Sequence, residues 1–260
     1  MKKIKHLTLG WMLCVGMVMG LGPAIGSAQA AANQNLPDST VISVVRHKLT
    51  QDGLLKGNNI SIQVSNQTIT LAGTVSTLDQ KIQAGKDATE AEKSYQVVNN
   101  LKIASTNMSN SEIKTQIQNR IERYVFYSVY DWVTVSVDNG TVTLNGWVYQ
   151  PWDRLQFVKQ IRKVSGVTAI RDSVRNEFGS QALRQRIASL IYNDPMLEQY
   201  AFQRVPAIHI IVHNGVVTLE GYVQNGQEKY RAESLILNYT DAISVQNNLH
   251  IGRGPYAANR

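Results

Sequence analysis

Two histidines and one group of aromatic and basic residues have types and spacings that would suit chemistry or binding. His209 and His213 are four residues apart in a segment that alternates apolar and polar positions. Four residues of an extended strand span about 13 Å, so the two imidazoles are too far apart to share a metal ion. The alternation also predicts that both imidazoles are exposed, opposite the apolar side of the strand. The pair therefore indicates no metal site.

The rest of the sequence offers no catalytic arrangement. The only cysteine, Cys14, lies in an N-terminal apolar run, so a processed chain would have no thiol nucleophile and no disulfide. The sequence has no Ser/His/Asp spacing, glycine-rich phosphate loop or CxxC motif, and its acidic residues are scattered. These observations predict a protein that is not an enzyme and that binds no metal or cofactor.

The tryptophans that follow the N-terminal segment all lie between residues 132 and 152, close to basic residues. Trp132 and Trp147 alternate with apolar neighbours and are expected to point away from the core. Outward rings beside cations suit the surface of an anionic bilayer or a protein partner, and they equally suit packing between repeats. The sequence leaves these three roles open. The candidate lipid- or partner-binding residues are Trp132, Trp147, Tyr149, Trp152, Arg154, Lys159, Arg162 and Lys163.

A strand-turn-strand pattern that occurs three times positions these residues. The copies are ISIQVSNQTITLAGTV (60–75), VTVSVDNGTVTLNGWV (133–148) and IHIIVHNGVVTLEGYV (208–223). Their turn asparagines are 73 and 75 residues apart, which indicates an array of three repeats. Asn-Gly favours a type I′ turn, so Gln67 in the first copy predicts a strained turn or another type. The turn and hairpin residues are Asn66, Gly73, Asn139, Gly140, Gly146, Asn214, Gly215 and Gly221.

Helical patterns flank each hairpin. Apolar residues four apart, such as Ile113 and Ile117, predict a helix before the hairpin, with a serine near residue 109 or 180 as its N-cap. A second helix surrounds a basic residue eight positions after the hairpin glycine (Lys81, Arg154 or Lys229), and a short strand follows it. The order α-β-β-α-β predicts an α+β fold of three tandem small domains. Each has two helices on one face of a three-stranded mixed sheet, and the other face is polar and open.

The third repeat carries an insertion between its first helix and its hairpin. The inserted segment is YNDPMLEQYAFQRVPA, which is rich in apolar residues. Long apolar loops bind a partner or pack on their own domain. The sequence leaves both interpretations open.

The N-terminus has the features of a secretory signal peptide. Three lysines precede an apolar run, and Ala28 and Ala30 provide the small residues of a cleavage site. Loss of these lysines lowers the formal net charge from +7 to +4, which is too small and too dispersed to indicate a nucleic-acid partner. The predicted organisation is a signal peptide (1–30) cleaved near Ala30, a linker (31–36), three repeats (37–104, 109–178 and 179–252) and a tail (253–260).

The repeats resemble the BON domain. The most specific motif is V-x-N-G-x-V-T-L-x-G-x-V, present in repeats two and three, and the later basic residue and the terminal V-x-N-x-L of repeats one and three add to it. The departures are Gln67 at the first turn and a Gly-Val pair after the second helix in repeat two alone, at Gly166. Proteins similar to this are periplasmic, are often induced by osmotic or envelope stress, and bind phospholipid or protect envelope proteins.

The resemblance implies a non-enzymatic periplasmic protein that maintains the envelope under stress. Its expected partner is an anionic phospholipid surface, contacted by repeat two through Trp147, Trp152 and the neighbouring basic residues. The alternative is a periplasmic chaperone or scaffold that binds envelope proteins through the open sheet faces. Lipid binding is expected to fall with ionic strength, whereas apolar client binding is not. The sequence does not define the oligomeric state.

Overall fold

The structure of the protein, a computed structural model, describes residues 36–176 and 179–252. The predicted signal peptide, most of the predicted linker and the predicted tail lie outside the described residues. Along the described chain the order α-β-β-α-β occurs three times, once in each repeat. The predicted α+β fold of three tandem small domains is therefore confirmed.

The helices and strands have the following bounds. Repeat one contains α1 (Asp38–Gln51), β1 (Asn59–Ser65), β2 (Thr68–Val75), α2 (Leu78–Ala91) and β3 (Gln96–Ile103). Repeat two contains α3 (Asn110–Glu122), β4 (Trp132–Asp138), β5 (Thr141–Val148), α4 (Pro151–Ile161) and β6 (Ala169–Asn176). Repeat three contains α5 (Gln181–Tyr192), a 3₁₀ turn (Glu198–Tyr200), β7 (Ile208–His213), β8 (Val216–Val223), α6 (Gly226–Tyr239), β9 (Ser244–Asn247) and β10 (His250–Ile251).

Each sheet is mixed and has the second hairpin strand at its centre. β2 pairs antiparallel with β1 and parallel with β3, and β5 pairs in the same ways with β4 and β6. In repeat three, β8 pairs antiparallel with β7 and parallel with β9 and β10, which are two parts of a last strand interrupted at Asn248 and Leu249. The helices of each repeat pack on one face of its sheet, and we call the opposite face the outer face.

The three hairpins use the same tight turn. In repeats two and three an asparagine and a glycine occupy the central positions, with φ between 46° and 78°. These positive values are those that a type I′ turn requires. In repeat one, Asn66 and Gln67 also have φ of 48° and 57°. A side chain other than glycine in this region costs about 1–2 kcal/mol, so the expected strain is located at Gln67.

A glycine follows in each central strand, at Gly73, Gly146 and Gly221, with φ between 114° and 128°. A Cβ atom at these positions would collide with a carbonyl oxygen of the neighbouring strand, which for Gly146 is the oxygen of Trp132. The glycine therefore permits a close approach of two backbones, as a glycine inside a strand predicts.

Four of the six helices described, α2, α3, α5 and α6, begin at a residue whose side chain caps the helix. Thr77 accepts a hydrogen bond from the Gln80 N–H, while the Gln80 side chain accepts one from the Thr77 N–H. Ser109 and Glu112 form the same capping box at the start of α3, and Ser180 caps α5 as predicted. Each cap stabilises its helix by roughly 1 kcal/mol. The starts of these four helices are therefore determined by local sequence.

Each repeat has its own hydrophobic core. The predicted helical stripe of Ile113, Ile117 and Ile121 is buried against the sheet of repeat two, and the stripes of the other repeats are buried in the same way. From the insertion of repeat three, Leu197 and Tyr200 are buried in that repeat's own core. The insertion therefore packs on its own domain through these two residues.

Candidate functional site

The eight predicted binding residues fall into two groups. Three of them, Trp132, Trp147 and Tyr149, lie on or just after the hairpin strands of repeat two and contact repeat three. The other five lie on α4 or in the turn that follows it, and are Trp152, Arg154, Lys159, Arg162 and Lys163.

The first group packs against the histidines of β7. The ring centroids of Trp132 and His209 are 4.9 Å apart, and those of Trp147 and His213 are 5.2 Å apart. Both indoles are half-buried, and the guanidinium of Arg175 lies 5.5 Å from the Trp147 ring centroid. The outer faces of the second and third sheets therefore meet at these rings.

The prediction that His209 is an exposed strand residue is wrong. This residue is only 2% exposed. The ring centroid of Tyr127, in repeat two, lies 5.5 Å from that of His209. Burial lowers the pKa of His209 to about 4, because desolvation disfavours the charged imidazolium. Alternation placed the imidazole on the outer face correctly. A strand pattern cannot show that another repeat covers that face. The next outer residue of β7, Ile211, is also buried.

Arg184 of α5 is a junction residue that the sequence did not single out. Although charged, it is only 3% exposed. Its guanidinium carbon lies 4.3 Å from the ring centroid of Tyr149 and 5.8 Å from that of Tyr130, and its Nη1 donates to the carbonyl of Gly179 at 3.1 Å. A desolvated cation over aromatic faces is attracted to them. No local pattern separates such an arginine from a solvated one on a helix.

A short loop of repeat two makes the main-chain contact of this junction. The N–H of Ile210 in β7 donates to the carbonyl of Val129 at 2.7 Å. The buried carboxylate of Asp131 holds the loop, because it accepts hydrogen bonds from Ser128 and from the N–H of Tyr149. Burial raises the pKa of Asp131. The loop, the rings and Arg184 form one continuous junction between repeats two and three.

Packing between repeats accounts for the positions of Trp132, Trp147 and Tyr149. It was one of the three roles that the sequence left open. Contact of these rings with lipid or with a partner stays a prediction, and it would require the junction to open.

Four side chains of α4 and the turn that follows it share one solvent-facing side. Trp152 is 62% exposed and Leu155 is 60% exposed, while Lys159 and Lys163 are also exposed. The intervals of three, four and four residues place them on one side of the helix. We call these four residues the α4 outer surface. The only acidic residue of α4, Asp153, is buried on the core side, so this surface is apolar and cationic.

The remaining two predicted residues of α4 have intramolecular partners. The Nε of Arg154 donates to Oδ2 of Asp172 at 2.8 Å. The carbonyl of Arg162, at the end of α4, accepts a hydrogen bond from the N–H of Asp79 in the first turn of α2 at 3.0 Å. Leu78 packs on the core of repeat two beside this bond. Arg154 therefore supports the fold of repeat two, and Arg162 lies at the junction with repeat one.

Leu155 is a surface residue that the sequence did not single out. The buried apolar residues of α4 are Phe157 and Ile161, which are two and six positions beyond Leu155. Leu155 is therefore off their stripe and only three residues from Trp152. This spacing is the signal that could have identified it.

Two further exposed apolar residues lie in the loop after α3. Val125 is 82% exposed and Phe126 is 66% exposed. The ring of Tyr124 joins this loop to α4, because its centroid is 5.5 Å from Phe126 and 5.5 Å from Phe157. The loop is therefore held against the helix that carries the α4 outer surface.

Neither a metal site nor a membrane span is found in the described part of the chain. Residues 36–176 and 179–252 contain no group of three or more His, Cys, Asp or Glu side chains placed to hold a metal ion. None of the helices described is both long and apolar enough to cross a bilayer.

The chain is similar to one curated protein and, more distantly, to several solved structures. Osmotically-inducible protein Y of Escherichia coli (strain K12) is 30% identical over 129 residues, which are 45% of this chain and 60% of that protein. CdsD, a structural protein of the type III secretion system of Chlamydia trachomatis, is 13% identical, with 82% of this chain and 94% of that chain covered and a TM-score of 0.25. The PrgH periplasmic domain is 11% identical, with 77% and 99% covered and a TM-score of 0.20. TM-scores this low do not establish a shared fold over the chain.

The family comparison covers all three repeats. The BON domain model matches residues 37–105, 109–175 and 180–253. These matches contain the hairpins, the strand glycines and both helices of every repeat. The chain therefore belongs to the BON domain family and carries three copies of the domain.

Proposed function

We propose that this protein is a periplasmic envelope-maintenance protein that binds anionic phospholipid surfaces through the α4 outer surface. The observation that carries the proposal is the exposure of Trp152 and Leu155, 62% and 60%, beside Lys159 and Lys163 on one side of a helix. The only acidic residue of α4, Asp153, is buried, so α4 exposes no carboxylate that would repel an anionic partner.

The chemistry of this surface matches a bilayer interface. A tryptophan ring is amphipathic and favours the level of the lipid headgroups, and complete burial of a leucine is worth about 1.5–3 kcal/mol. Each lysine near an anionic leaflet adds about 1 kcal/mol. These contributions are small enough to give reversible binding without an inserted helix.

The proposed compartment and role rest on separate observations. The first 30 residues have the pattern of a cleaved signal peptide, and the chain after them lacks cysteine. The curated relative is an osmotically inducible protein by its name, and this chain spans 60% of its length. A stress-induced protein with a cationic, apolar helix surface would meet anionic lipid on the membranes that border the periplasm.

The alternative, a chaperone or scaffold that binds envelope proteins through three open sheet faces, has less support. The outer face of β7 is occupied, because His209 and Ile211 are each 2% exposed and Trp132 lies against His209. The outer face of β1 in repeat one, with Ser61 and Gln63, is exposed. Three equivalent open faces are therefore not available for multivalent binding to a client.

Sedimentation with lipid vesicles tests the proposal. The chain from Ala31 onward is mixed with vesicles of phosphatidylglycerol and phosphatidylethanolamine, or of the zwitterionic lipid alone, at low and high salt. We expect binding to the anionic vesicles only, with a loss at high salt. Lys159→Glu/Lys163→Glu is expected to abolish this binding, and Trp152→Ala is expected to weaken it.

The matched control places the same charge change on repeat one. Lys86 and Lys93 are exposed residues on and just after α2, and Lys86→Glu/Lys93→Glu is expected to keep most of the binding. Equal losses in both double variants would show that only net charge matters and would remove α4 as the site. Absence of sedimentation of the unaltered chain with anionic vesicles at low salt would refute lipid binding.

A further inference from the structure

The edges of the three sheets differ in how their main-chain groups are satisfied. An edge strand exposes a row of N–H and C=O groups that can pair with another chain. In a hairpin, alternate residues of the edge strand direct their N–H and C=O groups toward the partner strand, and the residues between them direct these groups away from the sheet. In β7 the outward groups are those of Ile208 and Ile210, because these bond to groups outside the sheet while the N–H of Tyr222 in β8 bonds to Ala207.

In every repeat, one N–H of the last strand bonds to a side chain of the same segment. The Oδ1 atom of Asn99 accepts the N–H of Leu101 at 3.2 Å. Asp172 and Asn247 make the equivalent bonds to residues two positions later, at 3.1 Å and 3.3 Å. The V-x-N-x-L motif therefore supplies a local acceptor that competes with pairing by another strand.

The first-strand edge of repeat three is partly occupied. The carbonyl of Ile208 accepts a hydrogen bond from the hydroxyl of Tyr192 at 2.6 Å. The N–H of Ile210 donates to the carbonyl of Val129 in repeat two at 2.7 Å. Two outward groups of this edge are therefore satisfied by a main-chain group and a side-chain group of the same molecule.

The equivalent edge of repeat one is open. By alignment of the hairpins, Ile60, Ile62 and Val64 of β1 present their N–H and C=O groups outward. These groups make no hydrogen bond to any residue in the described part of the chain. The strand, NISIQVS, is seven residues long and contains no charged residue and no proline. It therefore lacks the features that usually protect an edge strand from pairing.

We propose that the β1 edge pairs antiparallel with β1 of a second copy of this chain, about a two-fold axis at Ile62. In this register Ile60 lies opposite Val64 of the second copy, and Ser61 lies opposite Gln63. Each strand offers three N–H and three C=O groups, so the two strands would share six main-chain hydrogen bonds and join two three-stranded sheets into one.

A second copy suits this edge better than a charged partner for two reasons. The exposed side chains on the outer face of β1 include Ser61, Gln63 and Ser65, which are neutral and polar. Two copies can therefore approach without charge repulsion. Pairing about a two-fold axis also satisfies both open edges at once and closes the assembly at two chains. The proposal concerns repeat one and does not depend on lipid binding by α4.

Sedimentation equilibrium of the chain from Ala31 onward, with charge-altered strands, tests the dimer. We expect the unaltered chain to dimerise in a concentration-dependent manner. Ser61→Lys/Gln63→Lys places like charges opposite each other across the axis, and we expect it to weaken dimerisation at least ten-fold. Ser61→Glu/Gln63→Glu should weaken it similarly, and an equimolar mixture of the two variants should restore a dimer.

The aligned exposed residues of β4 provide the control. Thr134→Lys/Ser136→Lys adds the same charges to the second hairpin and should leave the dimer intact. Circular dichroism establishes that every variant is folded, and slow amide exchange at Ile62 should appear only at dimer-forming concentrations.

Three results would overturn the proposal. They are a chain that stays monomeric at all accessible concentrations, a dimer that survives the lysine variant of β1, and failure of the lysine and glutamate variants to combine. Protection of the Ile62 amide in a monomer on addition of an extended polypeptide would instead assign the edge to a different protein partner.

Discussion

Acidification is expected to destabilise the junction between repeats two and three through His209. This imidazole is 2% exposed and lies between the rings of Tyr127 and Trp132, with centroids 5.5 Å and 4.9 Å away. Desolvation disfavours the charged imidazolium and lowers the pKa of His209, and it outweighs the hydrogen bonds with backbone groups of Asp131, Pro206 and Ser128, which raise that pKa. The folded junction therefore favours neutral His209.

The size of the effect follows from the pKa. Burial lowers the pKa of His209 from 6.5 to about 4. Above pH 6.5 the imidazole is neutral in both the folded and the unfolded chain, so it imposes no penalty. As the pH falls from 6.5 to 4, the unfolded chain takes up a proton that the folded chain does not, and stability decreases. At about 1.4 kcal/mol for each pH unit, the total loss is about 3 kcal/mol.

Urea unfolding followed by tryptophan fluorescence measures this loss, since Trp132 and Trp147 lie at the junction. His209→Gln removes the titration, so the difference in unfolding free energy between this variant and the unaltered chain is expected to shift by about 3 kcal/mol between pH 7 and pH 4. His213→Gln, at an exposed position of the same strand, controls for loss of a histidine as such. Parallel pH profiles for the unaltered chain and His209→Gln would refute the reasoning.

Three further substitutions have defined expectations. Gly146→Ala should cost at least about 2 kcal/mol in thermal unfolding, because φ is 128° and the new Cβ would meet the carbonyl of Trp132. Asp87→Asn should stabilise the chain by about 1 kcal/mol at pH 7, because burial raises the pKa of Asp87 and its Oδ2 has no partner among the described residues. This gain in unfolding free energy should shrink as the pH falls, because Asp87 then becomes protonated in the unaltered chain. Arg184→Ala should cost about 1–2 kcal/mol by removing the cation from the two tyrosine rings, whereas Arg186→Ala, on the exposed side of α5, should change unfolding by less than about 0.5 kcal/mol.

Local structure could be predicted from the sequence because its causes are local. The turn at Asn139 and Gly140 needs two positive φ values, and the sequence supplies the two residue types that adopt them most easily. The stripe of Ile113 and Ile117 repeats at the helical period and is buried as predicted. Gln67 predicted either a strained turn or another turn type, and the structure has the same turn with a positive φ at Gln67.

Contacts between repeats could not be predicted in the same way. Alternation assigns His209 and Ile210 to opposite faces of β7, but it contains no information about a second repeat that covers the outer one. Arg184 has the sequence context of a solvated helical residue, yet two tyrosines from another repeat surround it. The sequence grouped Trp147 of β5 with Trp152 of α4, and the structure separates a half-buried ring from an exposed one. Such differences arise from distant segments, which no local pattern records.

The second residue of the second helix serves a different purpose in each repeat. In α2 it is Asp79, whose N–H bonds to repeat two, in α4 it is the exposed Trp152, and in α6 it is the exposed Gln227. In a single domain this position could hold only one residue, either one that fits a junction or one with an exposed ring. Duplication removes this conflict, because mutation and selection act on each copy separately. The array can therefore diversify at one structural position while the hairpin and core of every copy remain the same.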